Sequence, residues 1–266
     1  MCYNNFMSKK IIIGNWKMNP KTLKEAEKLF SSVAKEMSTV KKTEVVICPP
    51  FLYLPSFAKA LAGKRKIKKQ IFLGAQNVFS EEAGAFTGEI SGEMLYNFGV
   101  RYVLVGHSER RERGENNQDI NKKIKIALWA GLVPILCVGE SMRDESHSYF
   151  NLVKMELEEC LNGIKKTSIA KVVVAYEPIW ALSSTPNRKD ATPIDSGEMA
   201  IFIRKILFDK FGKESSGVRI MYGGSVNEKD ASLFLKNGGV DGLLVGRASL
   251  DAKKFMKIIK TCEALN

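Results

Sequence analysis

Apolar residues in this chain fall into short, nearly unbroken runs separated by longer amphipathic stretches, and the alternation repeats from end to end. The runs are KIIIGNW (10–16), EVVICP (44–49), QIFLGAQ (70–76), YVLVG (102–106), LVPILCVG (132–139), KVVVAY (171–176), VRIMYGG (218–224) and VDGLLVG (240–246). Continuous apolar character predicts strands of a parallel sheet covered on both faces, since a sheet with one wet face would alternate. Between the runs, TLKEAEKLFSSVAKEM (22–37) carries Leu23, Ala26, Leu29, Phe30, Val33 and Met37 at helical spacing. QDINKKIKIALWAG (118–131) and SYFNLVKMELEECLNG (148–163) each end on a glycine placed as a helix C-cap. Eight strands alternating with helices predict an α/β fold with one domain, a (β/α)8 barrel of parallel strands, which needs about 250 residues. An open-sheet nucleotide binder would carry G-x-G-x-x-G after its first strand or a G-x-x-x-x-G-K-[ST] loop, and neither is present. Residues 1–8 are read as an N-terminal extension and 9–266 as the barrel.

In such a barrel, chemistry sits where strands end and the following loops begin. GNWKMN places Asn15 and Lys17 two apart, on one side of a strand that runs on to residue 16. GHSERRERG places His107 directly after a strand and before a helix start, with Ser108 and Glu109 in its first turn. A histidine there faces the positive end of the helix dipole, which favours the neutral ring. AYEPIW closes a strand on Glu177, and Pro178 holds that residue extended. A carboxylate fixed against Trp180 would lose hydration, which suits a general base. YGGSV (222–226) and VGRASL (245–250) bring Gly223, Gly224, Ser225, Gly246 and Arg247 into the last two loops. Free backbone N–H groups at those positions form the usual phosphate cradle of a barrel. Taken singly, each residue has a plainer reading: a surface lysine, a satisfied histidine, a rim ion pair, glycines in turns, and SERRER as a solvated helix face. Cys137 reads as a buried structural thiol, and Glu140 as a structural partner.

Composition narrows the picture. Of 266 residues, 45% are hydrophobic, and no apolar run approaches the roughly 18 residues of a membrane span. The N-terminus lacks the apolar stretch of a secretory signal. The five cysteines are odd in number and widely spaced, and only two histidines are present. Neither a disulfide framework nor a metal site is expected, and the compartment implied is a reducing cytoplasm. A net charge of +12 and the run GKRKIKKQ (63–70) suggest nucleic acid. The basic residues are nevertheless spread along the chain, with no interleaved aromatics or binding motif, so no nucleic-acid or membrane partner is expected. Positive potential that draws in small anions is the alternative use.

Together, GNWKMN, GHSERR, AYEPIW, YGGSV and VDGLLVGRASL resemble the triosephosphate isomerase family, in its order and close to its spacing, from about residue 10 to 260. The resemblance implies a cytoplasmic TIM-barrel enzyme, a homodimer needing neither cofactor nor metal, acting on a small phosphorylated triose. Carried over by motif, Glu177 is the base, His107 polarises the carbonyl, Lys17 stabilises the enediolate and Asn15 orients it. Glu109, with Ser108 beside it, supports the histidine loop. Ser183, Ser225, Gly246 and the amide of Arg247 hold phosphate. QNVFSEEAGAFTGEIS (76–91) resembles the loop that enters a partner subunit.

Two departures stand out. The lid, PIWALSSTPNRKDATP, has three extra residues up to Lys189 and neither family glycine, so Ser183 stands where a glycine amide is usual. Arg247 replaces a second glycine, and its side chain either points outward or adds a contact to phosphate. Two other readings stay open on residues alone: another phosphosugar isomerase or epimerase on the same barrel, and a binding relic of the fold.

Overall fold

A computed structural model describes residues 9–62, 70–183 and 185–266. The N-terminal extension, most of the basic run and Ser184 lie outside the described residues. All eight apolar runs form strands: β1 (Ile11–Asn15), β2 (Glu44–Cys48), β3 (Ile71–Ala75), β4 (Val100–Val105), β5 (Val133–Val138), β6 (Val173–Tyr176), β7 (Arg219–Tyr222) and β8 (Gly242–Val245). Each pairs in parallel with its sequence neighbour, and β8 returns to β1 with Ile11 opposite Gly242, closing the barrel. The chain is therefore a (β/α)8 barrel, as its periodicity predicts.

Continuous apolar runs are needed because each strand is buried twice. Ile11 and Ile13 pack inside the barrel with Val46, Leu104, Ile135 and Met221, whereas Ile12 faces the helical layer. That layer comprises α1 (Leu23–Glu36), α2 (Leu54–Ala62), α3 (Gly92–Asn97), α4 (Ser108–Arg111), α5 (Asn117–Trp129), α6 (Tyr149–Cys160), α7 (Lys166–Ile169), α8 (Pro193–Phe211), α9 (Ala231–Asn237) and α10 (Ala252–Ala264). Local signals set the ends. Thr22 with Glu25, and Thr192 with Asp195, form reciprocal capping boxes that satisfy the first amides of α1 and α8.

The N-terminal end of the barrel is closed by a polar plug. Arg219 opens β7 and reaches Glu44 at the start of β2 (Nη1 to Oε1, 3.2 Å). Its Nη2 also donates to the Tyr102 hydroxyl (3.1 Å), which in turn donates to Glu44. Burial, ahead of the neighbouring charges, pushes the Tyr102 hydroxyl pKa upward, so it remains a donor. Removing the cation strands a half-buried carboxylate. Arg219→Leu should therefore lower unfolding free energy by about 2 kcal/mol, below the usual cost for fully buried pairs because water reaches the rim. Chemical denaturation checks it, and activity should survive, because the plug lies at the end away from the loops.

Candidate active site

The C-terminal strand ends converge on a cleft of about 410 Å³ lined by Asn15, Lys17, His107, Glu177, Ser183, Ser225, Gly246 and Arg247. With Gly223 and Gly224, ten of the residues selected from sequence thus share one mouth, although they stand at or after the ends of strands 1, 4, 6, 7 and 8. Ser108 and Glu109 stand just behind it in α4.

His107 caps α4: its Nδ1 accepts the Glu109 backbone N–H (3.2 Å). That bond assigns the tautomer. Nδ1 carries no proton, the ring is neutral, and the hydrogen sits on Nε2. The Glu109 carboxylate lies 3.9 Å from Nδ1, too far to bond it. The Nε2–H faces Glu177 Oε1 at 3.3 Å, while Glu177 Oε2 accepts the Ser108 amide at 3.2 Å. The buried carboxylate therefore rests between an imidazole N–H and a helix N-terminus, where negative charge is favoured. Gly106 makes the approach possible. Its φ of +69° suits glycine, and it helps turn the chain from β4 into α4 within two residues.

Lys17 reaches the cleft differently from the sequence expectation. The strand ends at Asn15, and Lys17 has φ +52°, so strand alternation does not place it. Its backbone is pinned instead: its N–H donates to Asn15 Oδ1 (3.0 Å), and its carbonyl accepts Gln76 Nε2 (2.8 Å). A non-glycine residue holds this conformation only where surrounding contacts over-determine it. The Lys17 ammonium lies 2.6 Å from Glu109 Oε1. Asn15 and Gln76 thus aim the cation, and Glu109 anchors it.

In the loops after β7 and β8, the glycine amides differ in availability. Gly223 N–H is bonded to Tyr176 O (2.7 Å) and is not free, contrary to the reading of that loop from sequence. The amides of Ser183, Gly224, Ser225 and Arg247 have no backbone partner among the described residues. Arg247 extends its side chain to the Ser183 carbonyl (3.3 Å), joining the last loop to the loop after β6. The loop after β6 folds back on itself. Lys189 N–H reaches Trp180 O (3.2 Å), Thr185 Oγ1 reaches Ile179 O (2.5 Å), and Asn187 takes φ +52°. Asparagine supplies the left-handed turn for which glycine is the default.

Glu140 is a structural partner: it is fully buried and accepts from the Tyr176 hydroxyl (2.7 Å), Trp180 Nε1 (2.8 Å) and Arg143 (3.2 Å). This network fixes the start of the loop after β6. Burial pushes the Cys137 thiol far up, so it remains protonated and inert, as its sequence context predicts. Among the described residues no group of three or more His, Cys, Asp or Glu gathers as a metal site. No helix among them is long and apolar enough to cross a membrane.

Sequence reasoning missed one pair. Arg111, inside the SERRER cluster assigned to a solvated face, turns inward, and Glu156 on α6 meets it with Nη1 3.4 Å from Oε1. The buried face of α6 is Tyr149, Val153, Glu156, Leu157 and Cys160. A carboxylate at an apolar-face position was the available signal.

The cleft combines a buried carboxylate, an imidazole N–H, an ammonium fixed by a carboxylate, and amides without backbone partners among the described residues. Fold and cleft together define a (β/α)8-barrel protein with a polar pocket at the C-terminal ends of its strands. The sequence model of the family "Triosephosphate isomerase" matches residues 10–262. A triosephosphate isomerase of Caldanaerobacter subterraneus subsp. tengcongensis is 45% identical over 95% of this chain and 99% of its own. One from Endomicrobium trichonymphae is 41% identical over 96% and 99%. The crystal structure of triosephosphate isomerase from Bartonella henselae superposes with TM-score 0.82 at 33% identity, covering 95% of this chain and 98% of that one. The chain belongs to the triosephosphate isomerase family. It is an isomerase of triose phosphates, the step shared by glycolysis and gluconeogenesis.

Burial, partly offset by Arg111 and the Gly139 amide, raises the Glu156 carboxyl pKa to about 7. The folded value lies above that of an unfolded glutamate, so the native state binds this proton more tightly. The associated stability is fully present below the usual carboxylate range and is lost as pH rises through about 7. Glu156→Gln removes that titration. The stability gap between variant and wild type should move in the variant's favour from about pH 5 to about pH 8, read as Tm by calorimetry.

Proposed function

We propose that this cleft interconverts dihydroxyacetone phosphate and D-glyceraldehyde 3-phosphate through an enediolate, with Glu177 as the base. Glu177 takes a proton from C1 of the ketose, the C2 carbonyl becomes the enediolate oxygen, and the same carboxyl returns the proton to C2. His107 donates its Nε2–H to the oxygen that gains charge and exchanges protons between O1 and O2. Lys17 stabilises the developing charge, and Asn15 orients the substrate. Glu109 holds Lys17, and its amide holds the histidine tautomer. Use of a neutral imidazole in this role is a pattern already described for the family. The observation that carries the reading is the Glu109 N–H to His107 Nδ1 bond, because it makes Nε2 a donor aimed at the base.

Phosphate binding falls to the amides of Ser183, Ser225 and Arg247, with Gly246 allowing close approach. Their lack of other backbone partners supports this assignment. A homodimer is part of the reading. Met18 is 92% exposed and Leu52 84%, and Phe86 of the loop 76–91 is exposed too, an apolar set that a second copy would cover. Met18 adjoins Lys17, so a partner there would bear on the strained turn. Cys48, Cys137, Cys160 and Cys262 are free thiols, as a cytoplasmic location allows.

Glu177→Gln keeps the shape and removes the base. A coupled isomerase assay should show kcat/KM falling by about 10²–10⁴-fold, or roughly 3 kcal/mol or more of transition-state stabilisation. Near-normal turnover would exclude Glu177 as the base. The lid bears on fidelity, because open-cleft enediolate phosphate eliminates phosphate. With three extra residues and no glycine, it is expected to close less tightly. The fraction of turnovers ending in methylglyoxal and inorganic phosphate should exceed that of a glycine-lidded relative, and an equal fraction would refute the altered lid.

A further inference from the structure

We propose that Arg111 and Glu156 are a positioning pair for the isomerisation, gripping from behind the two backbone turns that carry His107 and Glu177. The pair rests on the proposed function, since it acts through those two residues. Neither Arg111 nor Glu156 lines the cleft.

The grip on the histidine side is direct. Arg111 Nε donates to the Gly106 carbonyl at 2.9 Å, and that carbonyl belongs to the peptide leading into His107. Nη2 reaches the Cys137 carbonyl at 3.4 Å, so one guanidinium bridges the ends of β4 and β5. Nη1 faces both Asn117 Oδ1 (2.5 Å) and Glu156 Oε1 (3.4 Å), which hold the fork in plane.

The grip on the base side runs through one peptide. Glu156 Oε2 accepts the Gly139 N–H at 2.9 Å. Gly139 lies against the Glu177 backbone so closely that an added Cβ would overlap the Glu177 carbonyl oxygen. The Glu177 amide is bonded in turn to Val138 O (2.8 Å), one residue before Gly139. A shift of the Gly139 peptide is therefore passed to Glu177 with no soft contact to absorb it. The crevice between the pair and the base, lined by Gly106, Ser108, Arg111, Cys137, Gly139 and Glu177, has no space for a water molecule.

Glu156 is also the member whose charge can change. Facing it are Arg111 from α4, Glu140 and Glu177 from the loops after β5 and β6, and Cys160 on its own helix. Only Arg111 is cationic, and burial opposes ionisation, so the carboxyl titrates at about 7. Ionised, it holds the guanidinium and the Gly139 amide by charge-assisted bonds. As pH falls through about 7 it takes up a proton, and both bonds weaken.

The test compares wild type, Glu156→Gln and Glu156→Leu in the isomerase assay between about pH 6 and 8, with circular dichroism confirming folding. Glu156→Leu should lose about tenfold in kcat with KM within about twofold, because positioning acts on the transition state. Glu156→Gln keeps an oxygen for the Gly139 amide and should recover most of that loss. Its kcat relative to wild type should rise as pH falls through about 7, where only the wild type changes charge. Substrate phosphate titrates equally in both enzymes and cancels in the ratio. A folded Glu156→Leu with wild-type kcat would overturn the proposal, as would a ratio that stays flat across the window. If Glu156→Leu fails to fold, the Glu156→Gln ratio alone decides. A wild-type protein without isomerase activity would overturn the proposed function itself, whereas a flat ratio in active enzyme overturns only the pair.

Discussion

Closure of the parallel barrel is the constraint on which the site depends. Once β8 pairs with β1, all eight strands point the same way and all their C-terminal ends face one mouth. Ser108 and Glu177, 69 residues apart in the chain, are then within hydrogen-bonding distance. Double burial of every strand follows from the same closure, with Ile11 and Ile13 inside and Ile12 beneath the helices. The polar plug at the opposite end completes the division. One end of the barrel is sealed by Glu44, Tyr102 and Arg219, and the other is left to loops.

Within the mouth, backbone groups do most of the electrostatic placement. The Glu109 amide selects the histidine tautomer, and the Ser108 amide holds the carboxylate. The amides of Ser183, Gly224, Ser225 and Arg247 have no backbone partner among the described residues. Main-chain groups carry no rotamer freedom, so the arrangement is set before substrate arrives. Side chains enter mainly to hold the backbone in place: Asn15 and Gln76 on the Lys17 turn, and Arg111 and Glu156 on the turns next to His107 and Glu177. The loop after β6 is held by side chains as well: Glu140 bonds Tyr176 and Trp180 at its start, Ala181 and Leu182 are buried, and Arg247 reaches the Ser183 carbonyl.

The fold was legible from periodicity because strand burial is a local property, written in consecutive apolar residues. Even the ends were close: the run 171–176 became Val173–Tyr176, and 22–37 became Leu23–Glu36. His107 and Glu177 were legible because each directly follows an apolar run, and barrel geometry assigns that position to the mouth. The Gly223 amide was misjudged, since glycine-rich loops look alike whether their N–H groups are free or bonded to a neighbouring strand.

Sequence alone determined the eight strands, the intervening helices, and which residues stand at the strand ends. Each follows from spacing over a few neighbours. Only the tertiary structure decided how Lys17 turns into the cleft, that Arg247 reaches the loop after β6, and that Arg111 and Glu156 meet behind the turns of His107 and Glu177. These depend on barrel register and on side-chain directions between segments tens of residues apart. No local pattern of apolar and polar positions records them.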